Sequence, residues 1–181
     1  PTDTTVRRGG QRLGEMLVDA GIASESEIVA ALSALQHGAP QFLGERLVAA
    51  GVTDERTVAS GVAHQRGLQL VDLSSVAAEP AATELLTEEQ ARAALAIPLA
   101  VRNGTVDVAV AVPTPELLPA LQELMGQPVR IWVATRSDVL RAIGRSYRAL
   151  SSVAAEVRAF EAQHQVERDV VSLDSAADHA P

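Results

Sequence analysis

The chain has 181 residues and a formal net charge of −8, and all 15 of its basic residues are arginine. Without lysine it can build neither a Walker A phosphate loop nor a Schiff-base site, both of which need an amine; without cysteine it has no disulfide, thiolate zinc site or thiol nucleophile. Its aromatics are Phe42, Trp132, Tyr147 and Phe160, too few on an acidic chain for a nucleic-acid stacking platform. The first ten residues are polar, with no signal-peptide core, and no apolar run approaches the roughly 18 residues of a membrane span. The expectation is a soluble, cytoplasmic protein that binds no nucleic-acid polymer.

From Arg12 onward the chain repeats itself at a spacing of 30 residues. Windows 12–35 and 42–65 share eight identities: Leu13/Leu43, Gly14/Gly44, Glu15/Glu45, Leu17/Leu47, Val18/Val48, Ala20/Ala50, Gly21/Gly51 and Glu25/Glu55. Ile22/Val52, Ile28/Val58 and Leu32/Val62 stay aliphatic. Each window reads as a helical hairpin. A first helix, Leu13–Ala20 or Leu43–Ala50, is stopped by a glycine suited to a left-handed C′ position. A second starts at an N-cap, Ser24 with Glu27 as a capping box or Asp54 in the other copy. Its aliphatic residues recur at helical spacing. Most of these aliphatics are expected to pack a four-helix core, joined by a loop at 37–41.

Past Gly67 the periodicity changes. Leu68–Leu73 reads as a short strand, and Glu79–Ala94 as helix broken at Pro80, with Thr87–Gln90 opening its second part. Leu95–Val101 reads as an extended run that Pro98 places at a sheet edge or bulge. Arg102–Thr105 is a hairpin turn centred on Asn-Gly. Val106–Val112 is the strongest strand signal and is expected to be central, flanked by Leu95–Val101 and Val129–Ala134, with helices on one face. Pro113–Pro115 opens a helix that ends near Gly126, and a further helix starts between Thr135 and Asp138 and runs through Tyr147. From Ser151 the sequence suggests an exposed helix to about Arg168, then a disordered tail, with six acids against two arginines in this segment. The fold class is therefore α+β: a flexible 1–11, a repeated helical-hairpin subdomain at 12–67, a small α/β subdomain at 68–149 with a three- to four-stranded sheet, and an acidic helix and tail at 150–181.

Arg12-Leu13-Gly14, a glycine seven residues on, an aliphatic-rich helix and then a second copy resemble the MshEN family. These are the GspE/PulE-like N-terminal domains of the ATPases of type II secretion and type IV pilus assembly. The resemblance continues through Gly67–Val76 and Ile97–Leu121. It implies a non-catalytic regulatory or docking domain, recruited to the inner membrane through a protein partner such as a membrane-anchored platform. It fits a segment of a longer ATPase and a free-standing adaptor alike. Some members bind cyclic di-GMP, and no other cofactor is implied. Carried over residue by residue, that site would take Arg12, Leu13, Gly14, Leu17, Ile28 and Leu32 from the first copy, with Leu43, Gly44, Leu47, Val58 and Gln65 from the second. Arg12 would bond or stack on guanine, and the Leu-Gly step would let backbone approach the ligand.

The sequence departs from that pattern twice: Leu35 stands where the motif ends in Gln, and Phe42 where it begins with Arg. Gln36 is one residue late, which on a helix turns the side chain by about 100°. Phe42 can stack on a base but offers no bidentate donors. Each lost charge-assisted anchor is worth about 1.5–3 kcal/mol. Arg12 then carries the largest share of any affinity, Gln65 less.

Other groups carry weaker signals. His37, His64, His164 and His179 show no metal-ligand spacing, and neither Ser74-Ser75 nor Ser151-Ser152 has a nucleophile context. Glu88-Glu89 suits a helix first turn. Arg136, Arg141, Arg145 and Arg148 are either a solvated helix face or a docking surface for an acidic partner or the acidic tail.

Overall fold

A computed structural model describes residues 12–35 and 42–152. The expectations for residues 1–11, the connector at 37–41 and the acidic helix and tail beyond 152 lie outside the described residues. Among the described residues, those up to Ile143 make one compact unit and those from Gly144 another.

Both windows of the repeat are helical hairpins: α1 (Leu13–Asp19) with α2 (Glu25–Leu35), and α3 (Leu43–Ala49) with α4 (Glu55–Arg66). Gly21 and Gly51 sit at φ 67° and 71°, each just after a C-cap alanine, and turn the chain where an L-residue would be strained. The matching bonds recur: Ile22 N–H donates to the Leu17 carbonyl at 2.9 Å and Val52 N–H to that of Leu47 at 3.0 Å.

The second helices start alike with the chemistry reversed. In the first copy the Ser24 N–H (2.8 Å) and hydroxyl (2.7 Å) donate to the Glu27 carboxylate, and Glu27 N–H donates back to Ser24 Oγ. In the second the acid is the cap itself: Asp54 accepts from the Thr57 N–H at 2.8 Å and its hydroxyl at 3.0 Å. Both hold carboxylates below their ordinary pKa, through hydrogen bonds from Ser24 and from Thr57. Leu17, Ala23, Ile28 and Leu47 form one buried cluster shared by the hairpins.

A four-stranded sheet follows, in the order β1 (Gln69–Leu70), β4 (Val129–Val133), β3 (Thr105–Val110), β2 (Ala96–Arg102). β3 is central between β2 and β4. β2 and β3 pair antiparallel around Asn103 and Gly104, both at positive φ, as a two-residue hairpin loop requires. β3 to β4 is a parallel crossover through α7 (Leu117–Met125). The irregular register between Pro98 and Ala100 puts the proline at a bulge on the edge strand. α5 (Pro80–Thr83) and α6 (Glu88–Ala94) precede β2, and Thr87 and Gln90 cap α6 reciprocally. A last helix, α8, begins at residue 136 after the Thr135 hydroxyl, which accepts the Asp138 N–H.

Several boundaries move for physical reasons. Leu95 does not start a strand; it closes α6 at φ 47°. The strand expected over Leu68–Leu73 shrinks to two residues at the sheet edge. β3 stops at Val110, so Ala111–Thr114 becomes the first turn of the crossover and α7 starts only at Leu117. Both sheet faces are covered, not one. Val106, Val108 and Val110 pack with Leu121 and Met125 of α7, while Ile97, Ala100 and Ala109 on the other face are buried too. On that second face Asp107, 6% exposed, accepts from Arg130 Nε (2.5 Å) and Nη2 (2.8 Å) and from Trp132 Nε1 (3.2 Å). The bonds from Arg130 hold its carboxyl below the ordinary range against the opposing effect of burial.

Candidate ligand-binding site

α4 lies against the sheet: Ala59 and Ala63 bury themselves with Val133 of β4, and Val62, Leu68 and Leu70 pack beside them. That contact puts the second hairpin at the carboxyl ends of β3 and β4. Between them is a cavity of about 540 Å³. One wall is the second repeat, with Phe42, Leu43, Gly44, Val58 and Gln65; Leu13 reaches in from α1. The other wall is Ala111–Thr114 after β3, with Ala134, Thr135 and Arg136 after β4. The carboxyl ends of parallel strands are where open sheets tend to leave a ligand crevice.

The candidate residues divide unevenly over this geometry. Leu13, Leu43, Gly44, Val58 and Gln65 line the cavity. Arg12, Gly14, Leu17, Ile28, Leu32 and Leu47 do not. Leu17 and Leu47 are 3% and 0% exposed, and Ile28 is buried beside them in the shared helix core. Leu17 also borders a second, more open cavity of about 540 Å³ that includes Gly61 and His64. Leu32 is exposed. Arg12 is exposed at the start of α1, where its N–H donates to Glu15 Oε2 at 3.2 Å.

The repeated glycines serve helix packing. A methyl group on Gly14 would lie 3.0 Å from Ile28 Cγ2; on Gly44 it would lie 2.3 Å from Val58 Cγ1. In each copy the glycine lets the first helix close on an aliphatic residue of the second, and in the second copy that contact also forms cavity wall.

Two carboxylates of the second copy bridge to the first turn of α8. Glu45 pairs with Arg136, and Glu55 accepts the Ser137 N–H at 3.0 Å and its hydroxyl at 2.8 Å. Both acids line the cavity. Neither bridge was read from the sequence, since the partners lie 91 and 82 residues away. The only signal was that Glu15/Glu45 and Glu25/Glu55 are polar identities inside a repeat otherwise kept by aliphatics and glycine. Phe42, noted as a departure from the motif, is 52% exposed and turns out to line the cavity.

Residues 66–153 match the model of the MshEN domain. The type IV pilus assembly ATPase PilB of Thermus thermophilus is 34% identical over 142 residues, a stretch covering 77% of this chain and only 16% of that protein. The solved structure of MshE with cdg superposes with a TM-score of 0.67 at 27% identity, over 76% of this chain and 99% of that one. The N-terminal domain of XpsE superposes at 0.65 with 23% identity, over 77% and 96% of the two chains, and shares the fold. Residues 66–153 thus carry an MshEN domain, in a chain similar to a type IV pilus assembly ATPase and to MshE.

Proposed function

We propose that this chain is a non-catalytic regulatory module of a secretion or pilus-type machine, and that its ligand is cyclic di-GMP held in the cavity of the second repeat. The observation that carries the reading is the cavity itself. It is lined by motif residues Leu43, Gly44, Val58 and Gln65, with Phe42 available to stack on a base and Gln65 to bond its edge. At about 540 Å³ it lies within the roughly 300–1,000 Å³ of ordinary ligand sites. The solved structure of MshE with cdg supports the choice of ligand. Calorimetric titration of the chain with cyclic di-GMP, with GTP as control, tests it. Saturable heat with the cyclic dinucleotide alone is expected; none at high micromolar ligand overturns the reading.

The module regulates rather than turns over. The absence of lysine leaves no residue for a Walker A loop, and purified chain is expected to hydrolyse ATP no faster than a heat-killed control. A docking role is a second part of the proposal. It rests on homology to an ATPase that assembles a pilus, and the partner would be a protein of the same machine anchored in the inner membrane, with the module itself cytoplasmic. Among the described residues no helix is long and apolar enough to cross a membrane. Val29 and Leu32, exposed three residues apart on α2, are the apolar positions to test: replacing both with Asp should abolish co-purification with that partner at unchanged melting temperature, and retained co-purification would remove α2 from the docking surface.

A further inference from the structure

We propose that Arg136, which lies outside both repeats, is a ligand-binding guanidinium of the cavity, and that Glu45 holds it in reserve until a phosphodiester displaces the carboxylate. The inference rests on the cyclic dinucleotide reading above and names the residue that would read the ligand's phosphate.

The second repeat begins with Phe42, where the first has Arg12. The motif that lines the cavity therefore starts without a cation. Two arginines nevertheless line the cavity, Arg66 at the end of α4 and Arg136 at the start of α8. Arg136 stands with Phe42 and Gln65 around the same space, so a base against the ring and a phosphate against the guanidinium can be held together.

The state of Arg136 suits an exchangeable anchor. Its side chain is 45% exposed and that of its partner Glu45 is 28% exposed. A pair this open to water adds little to stability, so replacing one anion on Arg136 by another costs the fold little. A phosphodiester offers two oxygens to the planar fork, as a carboxylate does. Charge sets the direction. Around the cavity the two guanidinium groups are balanced by Glu45 and Glu55, and Glu55 is engaged by Ser137. Among the described residues an anionic ligand meets a locally neutral site, where the Glu45 carboxylate competes with it for Arg136. Removing that charge leaves Arg136 uncommitted.

Glu45 and Arg136 therefore affect ligand binding with opposite signs, whereas a purely structural clasp would make both substitutions act alike. The experiment is calorimetric titration with cyclic di-GMP of the wild-type chain, Arg136→Gln, Arg136→Lys and Glu45→Gln, at low and physiological salt, with thermal melts of each. Arg136→Gln should weaken binding by about tenfold, the loss of one charge-assisted contact at a half-exposed site. Arg136→Lys should recover part of that loss, and Glu45→Gln should bind more tightly than wild type, most clearly at low salt. Wild-type binding that is unchanged in Arg136→Gln, or that weakens in Glu45→Gln as it does in Arg136→Gln, overturns this inference and leaves the ligand reading standing. Absence of binding by both wild type and Glu45→Gln overturns the two together. Should Arg136→Gln fail to fold, the sign of the Glu45→Gln effect still decides.

Discussion

The two hairpins are built from nearly the same sentence and end in different surroundings. Each has a buried glycine in its first helix, a buried leucine three residues on, a left-handed glycine stop and a capped second helix. Yet Glu15 turns back on its own helix end, while Glu45 reaches Arg136. Glu25 is exposed, while Glu55 is taken up by Ser137. The local grammar fixes the hairpin; the sheet decides which hairpin becomes a cavity wall. α4 buries Ala59 and Ala63 on Val133, and that docking gives the second copy a facing surface. A repeat can thus keep its fold in both copies while the chemistry gathers in one.

The largest expected effect that separates the copies is on stability. Leu47→Ala should cost toward the upper end, and Leu17→Ala toward the lower end, of about 2–5 kcal/mol for a buried leucine. Leu47 is fully enclosed, whereas Leu17 already borders an open cavity. Urea unfolding of the two variants measures the difference, and equal or reversed losses would break the distinction.

Glycine substitution sharpens the same comparison. Gly44→Ala would bring a methyl group to 2.3 Å from Val58 Cγ1, and overpacking of this kind costs about 1–3 kcal/mol. Gly14→Ala meets Ile28 Cγ2 at 3.0 Å, and the gain of about 1 kcal/mol in helix propensity should offset most of that contact. Adding Val58→Ala to Gly44→Ala should recover stability if the clash is the cause, and a double variant no better than Gly44→Ala would exclude it.

The smallest effect is at the caps. Glu27 and Asp54 both have lowered folded-state pKa values. A group lowered on folding stabilises above its unfolded pKa, and that contribution fades as pH falls through the folded value. Both copies should therefore lose stability on acidification below about pH 4. Ser24→Ala should flatten that acid slope through the first copy and Asp54→Asn through the second. Thermal melts from pH 6 to pH 2 check this; an unchanged slope in Asp54→Asn would mean that the cap carboxylate does not titrate with folding. Asp72, held at about 2 chiefly by the Ser74 hydroxyl and N–H, adds to the same slope.

What was legible in the sequence was whatever neighbours dictate. The spacing of 30 residues, Gly21 and Gly51, Ser24 and Asp54, Asn103-Gly104 and the alternating valines of β3 each act over a few residues, and helices, stops and central strand follow from them. The candidate site was only half legible. Aliphatic residues at helical spacing fit a ligand groove and a helix core equally well. Burial, which separates Leu43 and Val58 in the cavity from Leu17, Ile28 and Leu47 in the core, depends on how four helices pack. The far wall could not be read at all. Ala111–Thr114 looked like the end of a strand and the start of a helix, and Arg136 like one of four arginines on a helix face; only the crossover through α7 brings them opposite Phe42 and Gln65.

Which copy holds the ligand is the central question. The motif alone puts the greatest weight on Arg12, but Arg12 lies outside the cavity and Gln65 inside it. Titration of Arg12→Ala and Gln65→Ala with cyclic di-GMP, side by side with the wild-type chain, separates the two. Gln65→Ala should weaken binding by about five- to tenfold, as loss of one hydrogen bond implies, while Arg12→Ala should bind as wild type does. Affinity lost with Arg12→Ala and kept with Gln65→Ala would contradict this reading.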